Sequence, residues 1–244
     1  MLDVLFPLRC ASCGSGSWPF CAECAAEVRP ITPPLCRRCG RPTVAWVRGC
    51  RDCPPEPLDA ARSPFLYAGP VRSALHRLKF SGWRAVGEAL GRAMALVAPD
   101  VAGGAGIVTW VPVSRARLAR RGYDQARALA AVVSRQLGLP RARLLARPAE
   151  IGPQARRSGP ERRRALEGAF VSSGREPPTT VLLVDDVLTT GATAAECAEV
   201  MVAAGARRVV LLTAARSLSG PLPARCYSDP DSRPSLWLPG DRPR

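Results

Sequence analysis

The sequence predicts a mixed α/β domain with a mainly parallel central sheet flanked by helices, preceded by a small cysteine-rich module. Three observations predict it. Strand-length apolar runs alternate with helix-period segments through the second half of the chain. Eight of the ten cysteines fall within the first 53 of 244 residues. A proline-rich stretch, "PPEPLD" at 54–59, separates the two regions. The expected division is 1–58 for the cysteine module, 59–216 for the α/β domain, and 217–244 for a Pro- and Ser-rich tail expected to be poorly ordered.

The cysteines come as four Cys-x-x-Cys pairs: Cys10/Cys13, Cys21/Cys24, Cys36/Cys39 and Cys50/Cys53, with gaps of 7, 11 and 10 residues between them. Two pairs supply the four thiolates of a tetrahedral zinc site, so eight cysteines suit two closed structural zinc ions. One tight turn presents both sulfurs of a pair, and "CRRCGRP" carries the glycine such a knuckle uses. So short a segment has little core of its own, and metal binding would supply its folding energy. Consecutive pairing is preferred to interleaved pairing. A single zinc with spare thiols, or a redox or iron–sulfur role, is the weaker alternative.

Beyond the linker, "PFLYAG" reads as a strand. "VRSALHRLKF…AVGEALGRAMALVA" reads as a helix or two, broken near Ser81 and Gly82. "IVTWVPV" (107–113) is a buried-type strand, and "DQARALAAVVSRQLG" (124–138) is a helix closed by Gly138. "VLLV" is the next strand, "ATAAECAEVMVAA" a helix ended by Gly205, and "RRVVLLTA" the strand that completes a βαβ unit. Nothing approaches the roughly 20 apolar residues of a membrane span. The opening "MLDVLFPLRC" lacks a basic region and a cleavage site, so a cytoplasmic protein without membrane insertion is expected.

The net charge is +15, which favours polyanionic partners such as phosphorylated metabolites or nucleic acid. Lys79 is the only lysine among 35 basic residues, so genome-wide bias and solvated arginine faces account for part of that charge.

Chemistry concentrates in "VLLVDDVLTTGAT" (181–193), where an apolar strand runs into two carboxylates and then a turn opening a helix. Ligands of open α/β sheets bind beyond the carboxyl ends of strands. Amides at 189–193 converge there with the helix dipole, making an anion site. A phosphorylated sugar fits: phosphate on the turn, hydroxyls on the acids, and Mg²⁺ offsetting charge. A Walker B reading lacks its partner loop, because Lys79 lies in "LHRLKFSGW". Two solvated aspartates with a threonine capping a helix are the bland reading.

The stretch closely resembles the phosphoribosyl pyrophosphate signature of type I phosphoribosyltransferases. Together with "LKFSG" (78–82), "VPVSRARLARRGYDQA" (111–126) and "PQ…ERR…GAF" (153–170), it resembles the ComF (competence protein F) family across about residues 8 to 214. That resemblance implies a type I phosphoribosyltransferase fold behind a double zinc ribbon. It implies that Asp185 and Asp186 hold ribose hydroxyls and help position Mg²⁺, while Thr189, Thr190, Gly191, Ala192 and Thr193 bind the 5′-phosphate. Val113 and Ser114 would contact pyrophosphate through backbone groups, and Arg120, Arg121 and Lys79 would offset its charge. Departures fall on the acceptor side: Tyr123-Asp124 where members often have Phe-Asn, Ile151 for a frequent Thr, and Ala165 for a frequent Asn.

The family's link to competence implies a second reading, contact with incoming single-stranded DNA and competence proteins. Arg115 and Arg117, with Arg156, Arg157, Arg162 and Arg163, are the nucleic-acid candidates, and Trp110, Tyr123 and Phe170 the neighbouring aromatics. His76 reads as a solvated or packed residue, Cys197 as core and Cys226 as a spectator thiol. The acceptor and the oligomeric state are not legible.

Overall fold

The computed structural model of the chain describes residues 9–80, 83–147, 169–218 and 220. Much of the tail, Ile151, Ala165, Cys226 and the arginines at 156, 157, 162 and 163 lie outside them.

A parallel sheet forms the centre. It is built from β1 (Leu58–Arg62), β3 (Ile107–Trp110), β6 (Thr180–Leu188) and β7 (Arg208–Arg216), in the order β1-β7-β6-β3. The short β2 (Phe65–Leu66) also pairs with β7, in parallel. β6 and β7 run from Thr180↔Arg208 to Leu188↔Arg216, joined by helix α7 (Ala192–Ala203) as the βαβ pattern requires.

The apolar runs are continuous because the sheet is covered on both faces. Leu182, Val184, Val210 and Leu212 point to one core with Leu75, Leu78, Leu90, Met94 and Leu129. Those partners come from α2 (Gly69–Phe80), α3 (Arg84–Val97) and α6 (Gln125–Leu137). Val181, Leu183, Val209 and Leu211 point the other way, to Ala194, Ala195, Cys197, Ala198 and Met201 of α7. The period-two alternation of a strand divides one apolar sequence between two cores. Helices α3 and α6 approach so closely that a Cβ on Gly91 would lie 2.6 Å from Val132 Cβ, which explains a glycine in mid-helix.

Several expected boundaries move. The strand expected over 107–113 ends at Trp110, because Pro112 has no N–H to donate to the ladder. The strand expected as "VLLV" extends to Leu188, since β7 still pairs with it after β3 has stopped. β1 starts inside the expected linker, at Leu58. The helix or two expected around Ser81 and Gly82 is a pair, α2 and α3. Gly138, at φ 65°, closes α6 as expected.

A short helix α1 (Ala22–Glu27) lies in the cysteine module, α4 (Pro99–Ala102) precedes β3, and α5 (Arg115–Arg121) follows it. A small antiparallel ribbon, β4 (Leu145–Ala146) with β5 (Val171–Ser172), flanks residues 148–168, which lie outside the described residues. No helix among the described residues is long and apolar enough to cross a membrane.

Candidate functional site

The eight N-terminal cysteines close into two groups in consecutive order: Cys10, Cys13, Cys21 and Cys24, then Cys36, Cys39, Cys50 and Cys53. A zinc tetrahedron with bonds of about 2.3 Å has sulfur–sulfur edges of about 3.8 Å. The Sγ separations match: 3.8 Å for Cys13–Cys21, 3.7 Å for Cys36–Cys53 and 3.5 Å for Cys39–Cys50. Knuckle amides donate to the sulfurs, from Ser12 to Cys10 at 3.4 Å and from Cys50 to Cys53 at 3.2 Å, as metal thiolates require. Gly14 and Gly40, each directly after a pair, take φ of 84° and 68°, so each knuckle turns where only glycine is unstrained. The two four-cysteine sites are consistent with two structural zinc ions.

The second centre sits on β6. The last ladder contact with the β3 side is the Val111 amide donating to the Val184 carbonyl at 3.0 Å. Asp185 and Asp186 follow immediately, on a stretch of strand with a neighbour on one side only. They are therefore not at the strand's end, as the sequence suggested, but at the point where one edge of it opens.

Asp186 is buried, with Lys79 Nζ 2.7 Å from its Oδ2. Asp185 accepts the Asp186 amide at 2.8 Å. Burial, reinforced by the neighbouring Asp186 charge, pushes the Asp185 carboxyl up to about 8, against the pull of that amide and of Lys79. The folded chain therefore keeps a proton that the unfolded chain loses near the ordinary carboxylate range. Stability of the ligand-free chain should fall as pH rises from about 4 to about 8, and level off above. Asp185→Asn should gain about 1–3 kcal/mol over wild type at pH 8 and little at pH 4. Denaturant midpoints of both chains across that range check this, and parallel curves would contradict it.

After β6 the chain turns through Thr189 and Thr190, both exposed, to Gly191 at φ 81°. Gly191 is the N-cap of α7 and has no side chain with which to cap it. Thr190 Oγ1 accepts the Ala192 amide at 3.4 Å. Ala192 and Thr193 form the first turn, partly accessible. A donor-rich helix terminus thus faces outward beside two carboxylates.

The β3–α5 loop approaches from the other side. Ser114 is buried and caps α5, accepting the Arg117 amide at 3.3 Å. The Val113 amide donates to the Asp124 carboxylate, which also receives the Arg127 and Ala126 amides and the Trp110 indole. Burial nevertheless pushes Asp124 up, and its charge adds to the rise at Asp185. Arg121 lies over the Phe80 ring at 4.9 Å. The buried Tyr123 hydroxyl has no hydrogen-bond partner among the described residues and feels both Arg121 and Asp186.

Lys79, Asp185, Asp186 and Arg121 therefore share one electrostatic neighbourhood, next to the loop of Val113 and Ser114. Arg115, Arg117 and Arg120 are exposed along α5. His76 is exposed and packs on Phe80 at 4.6 Å between ring centroids. Cys197 is fully buried, and burial raises its thiol pKa far above the ordinary range, as a core residue requires.

In the sequence, Tyr123 and Asp124 stand out as departures on the acceptor side, Tyr123 also as an aromatic near the arginines and Asp124 as the start of a helix. The position of Asp124 just before a helix was the available signal for its cap. A group at the Thr189–Thr190 turn is not visible in the sequence: Arg41, Arg51, Asp52 and Arg216, beside the expected zinc ligand Cys53. No local spacing announces that group, because it joins the cysteine module to the end of β7.

Comparisons with known proteins agree with this architecture. The family described as "Double zinc ribbon domain" matches residues 1–54. A solved structure of the allosteric regulatory enzyme of purine biosynthesis aligns with 52% of this chain and 26% of its own, at 18% identity and a TM-score of 0.36, too slight a likeness to argue from. Competence protein F of Haemophilus influenzae is 26% identical over 87% of the chain and 98% of its own length. Competence protein ComFC of Bacillus subtilis is 28% identical over 72% and 76%. DNA utilization protein YhgH of Escherichia coli O157:H7 is 30% identical over 83% of the chain and 92% of its own length. Likeness of that extent, through both the cysteine module and the sheet, means that the chain belongs to the ComF (competence protein F) family.

Proposed function

We propose that the β6–α7 site binds phosphoribosyl pyrophosphate with Mg²⁺ and transfers its phosphoribosyl group to an acceptor, releasing pyrophosphate. One observation carries the reading: two carboxylates on an opened strand edge are followed, within one turn of chain, by a helix N-terminus whose N-cap is Gly191 in the left-handed region. A sugar phosphate has hydroxyls for the first and a phosphate for the second.

Asp185 and Asp186 would orient the ribose hydroxyls, and the amides of 189–193 would hold the 5′-phosphate. Carboxylate oxygens are hard donors of the kind Mg²⁺ takes, and Asp186 Oδ2, beside the Lys79 ammonium, accepts no well-aligned hydrogen bond among the described residues. When bound, Mg²⁺ would neutralise charge on the diphosphate. In the transfer, the bond from C1 to the pyrophosphate oxygen breaks and pyrophosphate leaves with the electron pair. A bond from the acceptor nucleophile to C1 forms, and the acceptor gives up a proton. Lys79, on Asp186, and Arg121, over the Phe80 ring next to Lys79, favour the charge that grows on the leaving group.

Thermal unfolding with and without phosphoribosyl pyrophosphate and Mg²⁺ tests the binding. At a hundredfold excess over Kd the ligand should add about 2.7 kcal/mol, a shift of several degrees. The double variant Asp185→Asn/Asp186→Asn should abolish that shift. An unshifted wild type would sink the assignment.

The names of the relatives, DNA utilization protein and competence protein, favour a second reading: handling of single-stranded DNA. The exposed Arg115, Arg117 and Arg120 of α5 suit phosphate contacts. Oligonucleotide affinity that falls steeply with salt would support it, and flat, weak binding at low salt would count against it.

A further inference from the structure

The turn at Thr189 and Thr190 does not face open solvent alone. A cleft of about 300 Å³ lies against it, lined on the far side by Arg41, Arg51, Asp52 and Cys53, and closed by Arg216. The second cysteine group holds this wall in place. Arg51 and Asp52 sit between Cys50 and Cys53, two members of that group. Pro54, directly after Cys53, is packed so tightly on the turn that a Cβ on Gly191 would lie 2.4 Å from Pro54 Cβ.

Three guanidinium groups and one carboxylate line this cleft. Arg41 pairs with Asp52. Arg216 is 2% exposed and donates from Nη1 to the Cys39 carbonyl at 2.5 Å and from Nη2 to the Asp52 carbonyl at 2.8 Å. Its buried Nε has no partner among the described residues. Arg51 reaches Asp52 only at 4.0 Å, and its side chain is 80% exposed. Positive charge is in surplus, and it lies against the Thr189–Thr190 turn that leads into the positive end of α7. Cations gathered against a helix N-terminus, with a single carboxylate among them, make an anion site.

We infer that the second cysteine module is a wall of the phosphate site, and that Arg51 binds the phosphate group of a phosphorylated sugar seated on the Thr189–Thr193 turn. The inference rests on the reading of that turn as a phosphate cradle. It makes the zinc module part of the ligand site, where a structural ribbon would only stabilise the chain.

Calorimetric titration of the full-length, zinc-loaded chain with phosphoribosyl pyrophosphate plus Mg²⁺, and separately with ribose 5-phosphate, tests it. Arg51→Ala should weaken both ligands about tenfold, the scale of one charge-assisted hydrogen bond. Arg51→Lys should recover most of that loss. Arg48→Ala, exposed on the same module but outside this cleft, should stay within about twofold of wild type, and all three variants should retain two zinc ions. Binding by Arg51→Ala as tight as wild type, while Asp185→Asn/Asp186→Asn loses it, would overturn the role of Arg51 and leave the cradle standing. A wild type that binds neither compound would overturn both.

Discussion

Cys39→Ser should lower the zinc content from two ions per chain to one and cost about 3 kcal/mol or more of stability. Cys39 is buried, with its Sγ 3.5 Å from that of Cys50, and a serine hydroxyl cannot replace a thiolate in a closed tetrathiolate site. The module around it has little apolar core to fall back on, so metal binding and folding are one equilibrium there. Metal analysis and denaturant midpoints read the two effects separately. Cys197→Ala removes a thiol from the α7 core and should leave both ions bound, which isolates metal loss from thiol loss. Two retained ions with an unchanged midpoint in Cys39→Ser would show that the second group is not a metal site.

Arg216→Ala should cost about 3 kcal/mol without changing the zinc content. Arg216 is the largest fully buried side chain among the described residues. Truncation strands the buried Cys39 carbonyl and the half-buried Asp52 carbonyl, acceptors that lose charge-assisted donors. It also opens a void at the end of β7, beside the Thr189–Thr190 turn. Equilibrium denaturation checks the magnitude. A loss below about 0.5 kcal/mol would mean that water or neighbouring donors replace the guanidinium.

The core of the fold is legible wherever local pattern and tertiary structure agree. The apolar run after Thr180, Gly138 after a helix-period segment and the four cysteine pairs each carry their structure within a dozen residues. Legibility stops where a contact joins distant segments. The strand carrying Asp185 and Asp186 reaches Leu188 because β7 pairs with it there, and nothing between 181 and 188 encodes that partner. The acid pair and the turn were readable as a ligand-shaped unit. The cationic group beside the turn was not, because Arg41, Arg51 and Arg216 read in sequence as three of many arginines. Compositional bias hides a functional arginine more thoroughly than it would hide the single lysine, which lies on Asp186.

Cys10, Ala11 and Phe20 of the first cysteine module are buried in the same core as Leu75, Leu78 and Leu90 of the helical layer. That sharing limits how the chain can be divided. A fragment beginning after residue 58 would carry the strands and the acid pair, but would turn an apolar flank built for Phe20 toward water. The zinc module is thus not a detachable adaptor that another protein could exchange by recombination. Its sulfur cages and the sheet's hydrophobic interior stand or fall as a single inheritance.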